Sequence, residues 1–154
     1  MANIALIIAG GSGARMRQDI PKQFITVNEK PVIVYTLEAF EKHPEIEAIA
    51  VVCIEGWENV LWAYAKQFNI TKLKYIVPGG KNGQDSIRNG VYELEKHYSA
   101  DDIVLIHDAI RPMVSAEIIS IEKGQTGAPG QLKGKFGFQT IGEIDLNCDG
   151  GVYA

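Results

Sequence analysis

The stretch NIALIIAGGSGARM, residues 3–16, joins a short apolar run to a cluster of glycines and an arginine. Residues 3–9, apolar after the first, have the length and continuity of a β-strand that is buried on both faces. Gly10, Gly11 and Gly13 continue neither a strand nor a helix, and without side chains they let backbone N–H groups converge on an anion. The stretch predicts a parallel sheet whose first strand ends in an anion-binding loop. A tight turn that binds nothing is the alternative.

Apolar runs and helical spacing alternate through the next hundred residues. The spacing predicts helices over 31–40, 57–68 and 84–98, and apolar runs predict strands over 46–53, 73–77 and 103–106. Asp85 or Ser86 is expected to cap the third helix. Strands that alternate with helices at this spacing form right-handed β-α-β units, so we expect an α/β, Rossmann-like fold with a mostly parallel sheet.

Polar or glycine-rich segments follow the first, third and fourth predicted strands, at residues 10–16, 79–80 and 107–112. In an open parallel sheet, ligands bind outside the carboxyl ends of the strands. The three segments therefore predict one ligand edge.

Two cations flank the glycine loop. Arg15 lies within it, and Lys22 follows Pro21, whose ring fixes the backbone just before the lysine. Arginine offers a planar fork for two phosphate oxygens, whereas lysine acts as a mobile point charge. We therefore predict a phosphate pocket, with solvated surface cations as the alternative for each residue alone. The loop is neither a dinucleotide fingerprint, because Met16 stands where that pattern has glycine, nor a Walker A motif.

The composition argues against several classes of protein. A net charge of −4 opposes nonspecific binding to nucleic acid. No apolar run is long enough to span a membrane, and no basic and apolar leader is visible, so we expect a cytoplasmic protein with no membrane partner. Cys53 and Cys148 lie far apart and indicate neither a disulfide nor a metal site.

Three linked motifs resemble a known enzyme family: AGGSGARM (9–16) with PKQF (21–24), GG (79–80) with QDSI (84–87), and HDAIRP (107–112). In order and spacing they are similar to the signature of the 2-C-methyl-D-erythritol 4-phosphate and ribitol 5-phosphate cytidylyltransferases. The resemblance implies a nucleotide-binding domain of the nucleotidyltransferase (nucleotide-diphospho-sugar transferase) type over residues 1–120.

The resemblance also implies roles at the matching positions. The catalytic residues, which neutralise charge at the α-phosphate, would be Arg15 and Lys22. The nucleotide-binding residues would be Ala9, Gly10, Gly11, Ser12, Gly13, Gly80, Lys81, Ser86, Asp108 and Ala109. Asp108 would also hold Mg²⁺, the implied cofactor. Gly83 departs from the family, which usually has an arginine there.

Some of these motif residues have plainer interpretations. Asp108 follows a buried strand and is placed to cap the next turn, and Ser86 is placed to cap the third helix. His107 is expected to be a packed or hydrogen-bonding residue rather than a catalyst.

The implied reaction is attack by a sugar-alcohol phosphate on the α-phosphorus of CTP, with release of pyrophosphate. The expected acceptor is 2-C-methyl-D-erythritol 4-phosphate, of isoprenoid precursor synthesis, on the prevalence of that enzyme in the family; ribitol 5-phosphate is the alternative. The second hypothesis is a nucleotide-binding remnant without turnover, because the family's C-terminal half and the arm that forms its homodimer are not recognisable here.

In residues 121–154 we recognise no motif of the family, and the domain is expected to be truncated. Half of the sixteen glycines lie in these 34 residues, and the rhythm of helices and strands stops. The runs FGFQT (136–140) and IGEIDL (141–146) are strand-sized. We interpret the segment as a glycine-rich tail, and a reading-frame change near codon 120 is one hypothesis for its origin.

Overall fold

The computed structural model describes residues 2–10, 20–98, 102–110, 138–140, 143–144 and 152–153. Their strands are β1 (Asn3–Ala9), β2 (Thr26–Val27), β3 (Lys30–Pro31), β4 (Ala48–Cys53), β5 (Leu73–Pro78), β6 (Ile103–Asp108), β7 (Phe138–Thr140), β8 (Glu143–Ile144) and β9 (Val152–Tyr153). The main sheet is parallel and has the order β5-β4-β1-β6-β7. The pairs β2–β3 and β8–β9 are antiparallel.

Helices connect the first strands of the main sheet. They are α1 (Val32–Lys42), α2 (Glu58–Gln67) and α3 (Gly83–Glu95), and a 3-10 turn spans Lys22–Phe24. Each α-helix lies between two parallel strands in sequence, so the α/β class with a mostly parallel sheet is confirmed. Two short strands, β7 and β8, fall within the strand-sized runs of the glycine-rich segment.

The core lies on both faces of the main sheet. Ala5 and Ile7 of β1 pack in one apolar cluster with α1 and α2, whereas Ile4 and Leu6 pack in a second cluster with α3. These four side chains are fully buried. Burial of an aliphatic side chain of this kind stabilises a fold by about 1.5–3 kcal/mol. The continuous apolar run of β1 is thus explained by two buried faces.

The start of α3 differs from the prediction. Asn82 is the N-cap, and its Oδ1 accepts a hydrogen bond from the Asp85 N–H at 2.9 Å. The expectation that Asp85 or Ser86 caps this helix is therefore wrong. Asn82 has the extended backbone that an N-cap requires, and Gly83 is the first helical residue. The Ser86 hydroxyl makes a different contact.

The carboxyl ends of four strands lie at one edge in close register. Ala9 of β1 pairs with Cys53 of β4, which in turn pairs with Pro78 of β5. On the other side of β1, Ile8 pairs with Asp108 of β6. Neighbouring strands are about 4.8 Å apart, so the segments that leave these strands start side by side. Within the part of the chain described, no helix is long and apolar enough to cross a membrane.

Candidate functional site

Two glycine segments meet at the carboxyl edge of the sheet, one from β1 and one from β5. A Cβ atom on Gly10 would lie 2.9 Å from Ser86 Oγ and 3.3 Å from Gly79 Cα. In the reverse direction, a Cβ atom on Gly79 would lie 3.1 Å from Gly10 Cα. The two backbones approach so closely that a side chain on either glycine would require its neighbours to shift.

The same contact includes the first turn of α3. The Gly80 N–H donates a hydrogen bond to Ser86 Oγ at 3.0 Å, and Ser86 is buried. A side chain on Gly80 would meet Asp85 and the Ser86 backbone. Asn89 of α3 donates through Nδ2 to the Pro78 carbonyl at 3.1 Å, which ties the helix to the end of β5. The N-terminus of α3, with its positive dipole end, therefore lies beside the glycine segments.

The last carbonyl of β1 anchors the turn that carries Lys22. Gln23 Nε2 donates to the Ala9 carbonyl oxygen at 2.7 Å, and the Ile54 N–H donates to the same oxygen at 3.1 Å. Gln23 is buried, whereas Lys22 is exposed at the start of the 3-10 turn. Phe24 stacks on Trp57, with 4.8 Å between ring centroids. The turn is thus held by two buried side chains and presents the lysine to solvent.

Asp108 and Ala109 lie at the end of β6. The Asp108 side chain is exposed, and its Oδ1 accepts a hydrogen bond from the Ile110 N–H at 3.0 Å. The capping role that the sequence allowed for Asp108 is therefore present, and a carboxylate has further lone pairs for a ligand. Ala109 is fully buried and is held from both sides, by the Ile8 carbonyl at 3.0 Å and by the Thr36 hydroxyl at 2.8 Å.

The remaining predicted site residues fall into two groups. Lys81 is exposed in the loop before α3. Four predicted positions lie outside the described residues: Gly11, Ser12, Gly13 and Arg15. Gly83, where the family pattern is broken, has open space around the position of its missing Cβ. The structure therefore packs Ser86 against both Gly10 and Gly80. Ala9 adjoins Gly10, and Asp108 and Ala109 lie at the end of the neighbouring strand β6.

Two further titratable groups near this edge have packing roles. Burial, and to a smaller extent the Glu58 carboxylate, raises the pKa of the Cys53 thiol to about 12. A thiol with such a pKa is not a nucleophile at neutral pH. His107 is buried, and its ring lies edge-on to Phe40 at 5.4 Å between centroids. This contact agrees with the packing role expected for His107.

No group of three or more metal-ligating side chains occurs among the residues that the structure describes. This does not conflict with Mg²⁺, which keeps several waters and usually binds through one or two carboxylates together with substrate phosphates. The exposed Asp108 carboxylate is an oxygen donor of the required kind.

Sequence reasoning missed two residues of this edge. Asn82 lies two residues after the pair Gly79-Gly80 and three residues before Asp85. An N-cap side chain three residues before an acidic residue is the signal that could have identified it. Gln23 is buried although it lies between an exposed lysine and a core phenylalanine. No periodicity marks it, because the turn is only three residues long.

Comparisons with known proteins agree with the fold. The family model described as 2-C-methyl-D-erythritol 4-phosphate cytidylyltransferase matches residues 3–131. A ribitol-5-phosphate cytidylyltransferase from Lacticaseibacillus paracasei is 49% identical over 116 residues, which cover 75% of this chain and 50% of that protein. A 2-C-methyl-D-erythritol 4-phosphate cytidylyltransferase from Clostridium botulinum is 42% identical over 117 residues, covering 76% and 50% of the two chains.

A solved structure gives the same result. The crystal structure of the 2-C-methyl-D-erythritol 4-phosphate cytidylyltransferase from Francisella tularensis has a TM-score of 0.64 and 28% identity, covering 85% of this chain and 55% of that one. The chain spans about half the length of the curated relatives that it matches. The resemblance and the nucleotidyltransferase fold expected from the sequence are both confirmed.

Proposed function

Because the chain belongs to the 2-C-methyl-D-erythritol 4-phosphate cytidylyltransferase family, we propose that its sheet edge binds CTP and that the protein transfers the cytidylyl group to a sugar-alcohol phosphate. The observation that carries the proposal is the contact among Gly10, Gly79 and Ser86 beside the N-terminus of α3. Glycine segments without side chains let backbone groups approach a nucleotide closely, and in the loop after β1 they leave N–H groups free to converge on phosphate oxygens.

The proposed roles are those that the family resemblance implies at the matching residues. The backbone of residues 9–13 holds the triphosphate, and Gly80, Lys81 and Ser86 contact the cytosine and ribose. Lys22, on its anchored turn, neutralises charge at the α-phosphate together with Arg15. An acceptor phosphate oxygen attacks the α-phosphorus, the bond to the bridging oxygen breaks, and pyrophosphate leaves. Such transfers depend on positioning and charge stabilisation rather than on covalent help from the protein.

Asp108 and Ala109 complete the proposed site. An exposed carboxylate at the strand end fits Mg²⁺, which when bound would neutralise charge on the phosphates. The buried Ala109 backbone, held by hydrogen bonds on both sides, fixes the direction in which the Asp108 carboxylate leaves β6.

Two acceptors are candidates. Ribitol 5-phosphate is favoured by the relative from L. paracasei, because its identity of 49% exceeds the 42% of the C. botulinum relative. The acceptor expected from the sequence, 2-C-methyl-D-erythritol 4-phosphate, is favoured by the description of the matching family model. Both are sugar-alcohol phosphates, so the proposed chemistry is the same.

The test separates binding from turnover. Titration calorimetry of the 154-residue chain with CTP and Mg²⁺ measures binding, and a pyrophosphate-release assay with each acceptor measures transfer. Lys22→Ala and Arg15→Ala should each lower the rate by about 10²–10³, because each removes an electrostatic contact to the reacting phosphate. Lys66→Ala, which removes an exposed cation from α2, is the control and should leave both measurements unchanged.

The outcomes distinguish the hypotheses. Binding together with pyrophosphate release supports a transferase, and the faster acceptor identifies the substrate. Binding without release by this chain supports the nucleotide-binding remnant. Absence of binding, or Lys22→Ala and Arg15→Ala variants that release pyrophosphate at the wild-type rate, would contradict the assigned site.

A further inference from the structure

We propose that Gln23 is a positioning residue that fixes Lys22 at the ligand edge. The proposal rests on the proposed function, because Lys22 is the residue assigned there to the α-phosphate. It adds a residue whose side chain acts through its neighbour and contacts no nucleotide itself.

A buried hydrogen bond holds Gln23 against the end of β1. Gln23 is 3% exposed, and its Nε2 donates to the Ala9 carbonyl at 2.7 Å. Ala9 is the last residue of β1, and the glycine loop begins at the next residue. This hydrogen bond therefore joins the turn of Lys22 to the strand end from which the loop leaves.

The turn that carries Lys22 has a closed backbone. Its backbone is closed by two hydrogen bonds, from the Phe24 N–H to the Pro21 carbonyl at 2.9 Å and from the Ile25 N–H to the Lys22 carbonyl at 3.1 Å. Gln23 and Phe24 point inward, and Lys22 is exposed. The lysine thus has a mobile side chain on a fixed backbone, and the buried amide next to it sets where that backbone lies.

The chemistry of the Ala9 carbonyl explains why a glutamine suits position 23. The acceptor is a carbonyl oxygen that already receives the Ile54 N–H at 3.1 Å, so the second partner must be a donor. A neutral amide supplies that donor in a buried position without the cost of an unpaired buried charge. Removal of the amide leaves the Ala9 carbonyl with one partner, so the fold is expected to survive the change.

The first test needs no nucleotide. Gln23→Met keeps the volume of the side chain and removes the donor. We expect the amide hydrogens of Phe24 and Ile25 to exchange at least about tenfold faster in the full 154-residue chain, while amides in the middle of β1 and β4 keep their rates. Asn3→Leu is the matched control, because Asn3 Nδ2 makes a similar bond to the Glu45 carbonyl, at 3.0 Å, at the opposite end of β1. It should leave the turn unchanged.

The second test is a double-mutant cycle on CTP affinity. We expect Lys22→Ala to weaken CTP binding by about tenfold, and Gln23→Met to weaken it several-fold when Lys22 is present and less than about twofold when it is absent. Cytidine, which lacks phosphates, should bind all variants equally. A merely structural role for Gln23 would give the same loss with and without Lys22.

Failure of the positioning role and failure of the proposed function give different results. Unchanged exchange of the turn, faster exchange throughout the core, or additive effects in the cycle would overturn the positioning role. A wild-type chain that binds no CTP would overturn the proposed function, and the exchange experiment would still decide whether Gln23 anchors the turn.

Discussion

Substitution of Gly10 by alanine tests the contact on which the candidate site depends. The added Cβ would lie 2.9 Å from Ser86 Oγ, a distance that real Cβ atoms essentially never show, and 3.3 Å from Gly79 Cα. The backbone of Gly10 is not in the left-handed region, so strain at φ does not contribute. The effect of the substitution must therefore come from the limited space between the two glycine segments.

The loss of stability in Gly10→Ala depends on how Ser86 Oγ makes room for the new Cβ atom. Ser86 Oγ can turn away only by giving up the 3.0 Å hydrogen bond from the Gly80 N–H, and a buried group left unpaired costs about 1–3 kcal/mol. Alanine restricts the unfolded chain and returns about 0.4–1 kcal/mol. We therefore expect a net loss of about 1–2 kcal/mol in the free energy of unfolding.

Urea denaturation of four proteins measures this: the wild type, Gly10→Ala, Ser86→Ala and the double variant. Because Ser86→Ala removes the Oγ atom that the new Cβ meets, Gly10→Ala should cost at least about 1 kcal/mol less in that background. Equal costs in the two backgrounds, or a Gly10→Ala variant as stable as the wild type, would refute the proposed packing of the two loops.

Other predictions concern the core and the strand ends. Gly90→Ala in α3 would place a Cβ 2.6 Å from Leu6 Cδ1 in the core and should lower stability by about 1–2 kcal/mol in urea denaturation, whereas Gly83→Ala, which meets nothing, should not. The pKa of Cys53 is raised from its ordinary 9.0 to about 12, so its neutral thiol stabilises the fold below pH 9, and this contribution is lost as the pH rises towards 12. The wild type should therefore lose more stability than Cys53→Ala between pH 9 and 12, and equal losses would contradict the burial. Asp108→Asn keeps the Oδ1 acceptor of the turn and removes the negative charge. Calorimetry should show that the wild type binds CTP more tightly in Mg²⁺ than in EDTA, and that the variant loses most of this difference.

The sheet was predictable because its signals are local. The bounds of β1 agree with the prediction, since an apolar run closed by glycines has one interpretation at that length. The starts of the helices were less predictable. In α3, for example, the N-cap is the one polar side chain, among several nearby, that accepts a hydrogen bond from a backbone N–H of the first turn. Competing hydrogen bonds cannot be ranked from the sequence when Asn82, Asp85 and Ser86 all lie within reach.

The β2–β3 pair was not predicted. Its turn places Asn28 and Glu29 at φ 53° and 69°, and such positive values usually call for glycine. Tyr35 donates to the Val27 carbonyl at 2.6 Å, and Lys30 pairs with Glu38 at 2.7 Å. Contacts from Tyr35 and Glu38 of α1 therefore accompany the positive φ values of this turn, which the local sequence does not indicate.

The family resemblance proposes the members of the candidate site, but it does not predict the contacts among them. The resemblance supplied Gly10, Gly80 and Ser86, whereas their close packing follows from the register of β1 with β4 and of β4 with β5. Gln23 was missed because its role depends on the Ala9 carbonyl, 14 residues away in sequence. A long-range hydrogen bond of this kind leaves no pattern in the chain.

The most direct measurement of the central claim is an NMR titration of the isotopically labelled chain with CTP and Mg²⁺. If the glycine segments at the carboxyl edge form a nucleotide site, the amide signals of Gly10, Gly80, Ser86 and Ala109 should shift together and saturate, while those at the amino ends of the strands stay in place. Signals that do not move, or shifts concentrated at the opposite edge, would contradict it.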